Sequence, residues 1–595
     1  MKKVTRRDFL RLAALVGGGA IAAACAAPMA APAGGEAAPA GAEAEAAPAA
    51  APVAGGELPV PREDAIIINE TTVYTIFGSA NPFVPNGTIQ SGYYQCVQEH
   101  LFYLNWATGE FINWLAESYA YNDDYTQLTI KTRPEAKWND GQPFTAADVE
   151  FTIDMVKSNA GLSWGATMNE WVASMERPDD YTLVINLTKP NPRFHMNFAR
   201  AWSFPVVAKH VWENQDPMMF KNWPPVGTGP YKVFQELPDR RMFIFERDDN
   251  YWGIARGYQP GPKYVIWQTS PPPEAEIADL QNNLIDHAHS YTTDKELLER
   301  SKELNPKVVL APWRDPCPRG IMINCAKYPL SKPEVRWAIF HCVNKQKAAD
   351  VLFPWPTVPA IYPWADWGGN AKYEYADILA EFDTEFNPAK AAQILDDLGF
   401  KPGSDGIRVD DQGNKLSFQI IVPQVGVTGE YPIGQDLADE LKKIGVDASV
   451  KWSEMTPWDE ATQTGTFDIS SMWFCGDWAE PPMTFADWKA DNIRPIGERA
   501  TAGNWLRLKD EELTEVVKKM EVTSPDDPAI EELYRQAFRL YMKNMPAIPV
   551  VQTTFVMPFN TTYWTGWPEE GNIYAVPFTW WSEFKFVLFN LKKAA

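Results

Sequence analysis

The residues best suited to chemistry in this chain are tryptophans set beside carboxylates. The run Trp473-Phe474-Cys475-Gly476-Asp477-Trp478 places an acid between two indoles, and Trp364-Ala-Asp-Trp367 repeats the pattern. Trp564 and Trp567, followed by Glu569-Glu570, and the pair Trp580-Trp581 extend it. Indole faces stack on the apolar faces of sugar rings while carboxylates and amides hold hydroxyls. Twenty-five tryptophans supply many such faces, although any single one is more often core than ligand contact. Bond-breaking chemistry has less support. There is no Gly-x-Ser-x-Gly elbow, His-Glu-x-x-His pair, phosphate-cradling glycine loop or calcium-loop pattern. His287 and His289 are two apart and lack a third partner for a metal, so a solvated or locally hydrogen-bonded pair is expected and no cofactor is implied. Acidic pairs such as Asp123-Asp124 and Glu569-Glu570 are background in so acidic a chain, since the carboxyl separation that defines a glycosidase is not written in sequence.

The elements that must position these groups read as mixed α/β. Tyr125 to Lys131 alternates polar and apolar residues like a half-buried strand, and Thr145-Ala-Ala-Asp148 is a capping box opening a helix through Val149, Ile153 and Val156. Asp180 to Leu187 is a second strand, and Tyr231 to Gln235 with Arg241 to Glu246 make a hairpin. Ser331-Lys-Pro333 and Asn387-Pro388 start helices, the second ending at Gly399. Ile433, Leu437, Leu441 and Ile444 form one helical face, which Gly445 ends before a strand from Val446 to Trp452.

The N-terminus gives the compartment. Lys2, Lys3 and the pair Arg6-Arg7 precede an apolar run from Leu12 to Ala24, too short to span a bilayer. The paired arginines fit a twin-arginine export signal, and Ala22-Ala23-Ala24-Cys25 fits a lipoprotein signal in which Cys25 is lipidated. An ordinary cleaved secretion signal is the alternative. Residues 26–57, nearly all Ala, Pro, Gly and Glu, cannot bury enough surface to order themselves and read as a tether. Residues 1–24 carry five basic side chains and one acidic, so their removal takes the formal charge of −23 to −27. Such a body repels phosphate backbones, which excludes nucleic acid as a partner. Of the five cysteines after Cys25, one bridge among Cys317, Cys325 and Cys342 fits an oxidising compartment; small buried thiols are expected elsewhere.

Several segments together are recognisable. Lys137-Trp-Asn-Asp-Gly-Gln-Pro-Phe-Thr-Ala-Ala-Asp-Val149, Pro178-Asp-Asp-Tyr-Thr-Leu183, Val226-Gly-Thr-Gly-Pro-Tyr231, Arg247-Asp-Asp-Asn-Tyr-Trp252, Pro333-Glu-Val-Arg-Trp-Ala338 and Ala438 to Gly445 occur in this order. That order resembles the oligopeptide-binding type of extracytoplasmic solute-binding protein, family five, the receptors that feed ABC importers. Asn344 departs from it, standing where the family more often has Asp. The resemblance implies a type II, cluster C-like, two-lobed α/β fold with an additional small domain, a monomer that closes by a hinge, recognition by membrane permease subunits, and no enzymatic step. Implied boundaries are 58–100, 223–312 and 547–595 for a discontinuous first lobe, 101–222 for the small domain and 313–546 for the second lobe. Tyr563 to Tyr574 is similar to members that bind cellulose-type oligosaccharides, whereas Trp473 to Pro481 is similar to the segment in which peptide-binding members set an Asp, here Asp477, against the ligand's ammonium group. The implied ligand is a short oligosaccharide, with an oligopeptide next and a secreted glycan hydrolase as a remote alternative.

Overall fold

The computed structural model describes residues 58–595 except 71–75, 85–86, 89–90, 160, 200–202, 290–294, 424–428, 478 and 501–502. Arg6, Arg7, Cys25, the tether and Trp478 lie outside the described residues.

Ala65–Glu70 forms the edge of a four-stranded sheet, followed in space by Tyr264–Thr269, Met242–Arg247 and Tyr231–Leu237. The first pair is parallel and the other two antiparallel. The edge strand is buried along its whole length because both faces are covered. Ile66 and Ile68 belong to one apolar cluster, while Ala65 and Ile67 join a second with Ile277, Leu280 and Leu298 from two covering helices.

A second four-stranded sheet, in the order Ala116–Tyr121, Gln127–Thr132, Thr182–Leu187, Val172–Asp179, is antiparallel throughout. Leu128, Ile130, Leu183 and Ile185 alternate onto its inner face and pack with Val149, Ile153 and Val156 of the helix Ala146–Lys157. That helix starts where the capping box predicts: the Thr145 N–H donates to Asp148 Oδ2 at 2.9 Å.

The third sheet has six strands, in the order Val358–Pro359, Ala547–Gln552, Arg319–Ile323, Ile469–Trp473, Ser417–Pro423, Asp447–Ser453, with its own core. The chain passes between first and third sheets on two adjacent segments. Val308–Arg314 pairs antiparallel with Thr554–Asn560, and Arg319–Ile323 then pairs with Ala547–Gln552. Residues 315–318 and 553 are the crossing points, tied by the Asp315 N–H donating to the Thr553 carbonyl at 2.8 Å. Because Ala547–Gln552 pairs within the six-stranded sheet, the chain leaves that sheet after Gln552 rather than at 547.

Only one member of the expected trio Cys317, Cys325 and Cys342 is in a disulfide. The disulfide joins Cys317 to Cys475, 158 residues apart, while Cys96, Cys325 and Cys342 are buried free thiols. The pairing follows from register: Arg319 faces Trp473 across the third sheet, so continuing the antiparallel ladder by two residues brings Cys317 opposite Cys475. His287 and His289 are not solvated either. Both are buried near the first sheet, with the His289 Nδ1 3.2 Å from Glu70 Oε1. Burial pushes the His289 ring down to about 4, so it is neutral at physiological pH.

Candidate functional site

The loop following Ile469–Trp473 is the centre of the candidate site. Cys475 anchors it to the crossing segment through the disulfide. Gly476 allows it to lie close, since a Cβ there would sit 2.7 Å from Thr484 Oγ1 and 2.9 Å from Trp364 Cβ. Asp477 then organises the turn. Its Oδ1 accepts the main-chain N–H groups of Ala479 and Glu480, each at 3.0 Å, and its own N–H donates to Thr484 Oγ1 at 2.9 Å. The 3-10 helix Pro481–Trp488 follows, held down by Phe485 and Trp488, which pack on Tyr541.

A cavity of about 560 Å³ opens above this loop. One wall carries Asp477, Thr484 and Asp487, with Glu521 beside them. The opposite wall comes from the part of the chain that holds the second sheet: Trp106, Trp164, Trp171, Asn191, Arg193 and Asn197. Trp581, from the C-terminal segment, lies edge-on to Trp106 with ring centroids 4.1 Å apart. Four indoles, three carboxylates, two amides and one guanidinium therefore converge on one space. The arrangement offers stacking faces and hydrogen-bonding groups to a polar guest.

Arg193 lines the cavity and reaches from its own segment to the other side of it. It forms an ion pair with Glu480 through Nε, and Nη2 donates to Glu480 Oε1 and Tyr534 Oη, each at 3.2 Å. Nη1 donates to the carbonyls of Met520 at 2.9 Å and Thr523 at 2.7 Å. Nearby, the Tyr125 hydroxyl donates to Ser524 Oγ at 3.0 Å. These contacts tie the second sheet's segment to the helices that cover the third sheet.

A second cavity, of about 520 Å³, shares Cys475, Thr484 and Asp487 with the first. Of the residues singled out from sequence, Trp473, Phe474 and Cys475 line it, and Cys475 and Asp477 line the first. The others are elsewhere. Trp364 is fully buried against Tyr362, Phe485 and Phe538 beneath the Gly476 loop. Trp367 packs edge-on against Trp313, with ring centroids 5.3 Å apart. The Trp564 indole N–H donates to the Ala65 carbonyl at 2.8 Å, and that of Trp567 to the Trp564 carbonyl at 2.9 Å. Both are buried in the first core and line neither cavity. Sequence reasoning missed Trp106, Trp164, Trp171, Arg193 and Glu521. The spacing of Trp164 and Trp171, two helical turns apart around Gly165–Trp171, was the one local signal for two indoles on a common face.

Behind the crossing segments lies a buried ion cluster. Arg319 places Nη2 2.6 Å from Asp315 Oδ2 and Nε 2.7 Å from Glu430 Oε1, all three side chains being almost wholly buried. Burial, opposed by the Arg319 charge, pushes the Glu430 carboxyl up to about 7 from 4.5. A carboxyl with a raised folded pKa holds its proton more tightly folded than unfolded, so its contribution to stability is lost as pH rises from about 4.5 to about 7. Melting temperature is expected to fall across that interval, and Glu430→Gln is expected to flatten the slope. An unchanged slope in the variant would assign the dependence to other buried acids.

Comparisons with known proteins agree with this geometry. Residues 110–494 match the family model of bacterial extracellular solute-binding proteins, family 5 middle. A glutathione-binding protein of Pectobacterium atrosepticum is 24% identical over 71% of this chain and 79% of its own length. A putative ABC transporter peptide-binding protein of Brucella ovis is 27% identical over 53% of this chain and 58% of its own length. Among solved structures, a periplasmic oligopeptide-binding protein of an ABC transporter from Thermotoga maritima covers 90% of this chain and 100% of its own, with 26% identity and a TM-score of 0.80. The same protein solved with mannohexaose bound gives 25% identity and a TM-score of 0.77, covering 90% of this chain and 99% of its own. Among the described residues no helix is long and apolar enough to cross a membrane, and no group of three His, Cys, Asp or Glu could hold a metal ion. A cavity between separately cored sheets and a family match over most of the chain lead to one conclusion: the chain belongs to the family 5 bacterial extracellular solute-binding proteins, receptors that bind and do not convert their ligands.

Proposed function

We propose that this protein captures a short oligosaccharide in the cavity between its two lobes and delivers it to the membrane subunits of an ABC importer, working as a monomer tethered by a lipid on Cys25. The carrying observation is the cavity wall itself, where Trp106, Trp164, Trp171 and Trp581 face the carboxylates of Asp477, Asp487 and Glu521. Indole faces stack on pyranose rings, and carboxylates each accept hydroxyl hydrogen bonds. The mannohexaose held by the similar Thermotoga protein supports this ligand class. Closure costs nothing chemical: contacts to both lobes favour the closed form only to the extent that the ligand binds it better.

An oligopeptide is the second reading. The names of the Brucella and Pectobacterium relatives favour it, as does Asp477 as a partner for an ammonium group. A thermal-shift screen against manno-, cello- and xylo-oligosaccharides beside di- to penta-peptides separates the two, because a ligand that binds only the folded state raises its melting temperature. Sugars alone are expected to shift it; a shift by peptides alone overturns the oligosaccharide reading. Asp477→Asn adds a second discrimination. Its side-chain carbonyl still accepts the N–H groups of Ala479 and Glu480, so the unliganded melting temperature is expected to stay put, whereas Asp477→Ala is expected to cost about 1 kcal/mol. With a sugar the Asn variant loses affinity by about tenfold or less; with an ammonium group, whose charge it no longer balances, the loss is larger.

A further inference from the structure

The second cavity differs from the first in what it offers a ligand. Its walls are Met322, Met472, Phe474, Leu506, Trp488 and Trp505. The polar groups among its lining residues are largely spent on the protein. Asn504 Nδ2 donates to the carbonyls of Trp488, Lys489 and Leu508, and its Oδ1 accepts the Leu508 N–H. The Trp505 indole N–H donates to the Ala500 carbonyl at 3.1 Å, and Gln463 Nε2 to Asp459 Oδ1 at 2.6 Å. Thr484 Oγ1 already accepts from Asp477, and the one carboxylate, Asp487, stands on the wall shared with the first cavity. A hydroxylated ring moved into this space would exchange its water hydrogen bonds for few replacements, and each group left unpaired would weaken binding. An apolar group would pay no such penalty and would gain by leaving water.

We propose that the second cavity binds an apolar end group carried by the ligand whose polar body lies in the first cavity. The volume, about 520 Å³, is room for more than a methyl or acetyl substituent. The ligand class that results is amphiphilic: a short oligomer with a bulky apolar terminus. An aryl or acyl substituent on an oligosaccharide and an aromatic side chain on a peptide share this chemistry. The inference rests on the receptor reading above, and on the two cavities being neighbours that share Cys475, Thr484 and Asp487 as lining residues.

Calorimetric titration of the whole mature protein with matched probes tests it. The sugar arm compares manno- and cello-oligosaccharides with their 4-nitrophenyl glycosides; the peptide arm compares oligoglycines with peptides of equal length carrying one Phe at each position in turn. In the arm that binds, the substituted probe is expected to be tighter than its parent by about tenfold or more. Met472→Trp, which fills the second cavity, is expected to erase that gain while leaving the parent's affinity within about twofold. Leu506→Phe, a smaller change at the same wall, gives the same reading should the tryptophan variant fail to fold. Binding of the parents with no gain from the apolar group, or a gain that survives both filling substitutions, overturns the inference and leaves the receptor reading standing. Absence of binding by every probe in both arms overturns both.

Discussion

Replacing Lys585 by methionine is expected to remove about 3–5 kcal/mol of folding stability, the cost of leaving a buried charge without its partner. Lys585 Nζ lies 2.7 Å from Glu99 Oε1, and neither side chain has any solvent exposure. The ammonium also sits 3.0 Å from the Tyr103 hydroxyl and 4.0 Å above the Trp114 ring. Glu99 collects three further donors, the Trp114 indole N–H at 2.7 Å, the Tyr251 hydroxyl at 2.8 Å and the Trp252 indole N–H at 3.0 Å. One acid thus joins segments 99–114, 251–252 and the C-terminal helix Lys585–Asn590, which directly follows the Trp581 segment of the cavity wall. Denaturant unfolding checks the loss, and Glu99→Gln combined with Lys585→Met is expected to recover part of it because no lone charge remains. A loss below about 1 kcal/mol in the single variant would mean that water enters and solvates Glu99.

Arg193→Ala is expected to lower ligand affinity by about ten- to a hundredfold, while Glu480→Gln gives a smaller fraction of the same loss. Arg193, which lines the first cavity, donates to Glu480, Tyr534 and the carbonyls of Met520 and Thr523 on the other segment. Charge-assisted hydrogen bonds of this kind contribute about 1.5–3 kcal/mol. On the proposed hinge reading they form only where the two sides meet, so their loss would act on the closed form and show as faster ligand release. Stopped-flow dissociation measures it. Unchanged release rates would make the Arg193 contacts a packing feature of one lobe.

Local chemistry made much of the fold legible. The Thr145–Asp148 capping box, the Tyr231–Leu237 and Met242–Arg247 hairpin, the Asn387 cap and the amphipathic helix Glu430–Lys443 all depend on neighbours a few residues away, where spacing carries the information. What failed were the long-range pairings. Cys475 meets Cys317 across 158 residues because two strands happen to be adjacent and in register, which no cysteine spacing encodes. Arg193 and Glu480 are 287 residues apart and look like ordinary surface charges until the domains are placed. Composition pointed to the residue type that lines the first cavity, but few of the tryptophans singled out line it. Trp564 and Trp567 satisfy their indole N–H groups on main-chain carbonyls inside the first core, while the isolated Trp106, Trp164 and Trp171 face the cavity. Aromatic clustering in sequence does not report which face of an element meets a cavity.

A receptor that shuts over an intact guest changes shape on binding, which small-angle scattering of the purified protein with and without mannohexaose, or a peptide identified by thermal shift, measures. The expected result is a smaller radius of gyration with ligand, and recovery of that ligand chemically unchanged. A scattering curve that stays the same at saturation, or a ligand recovered in pieces, contradicts the account.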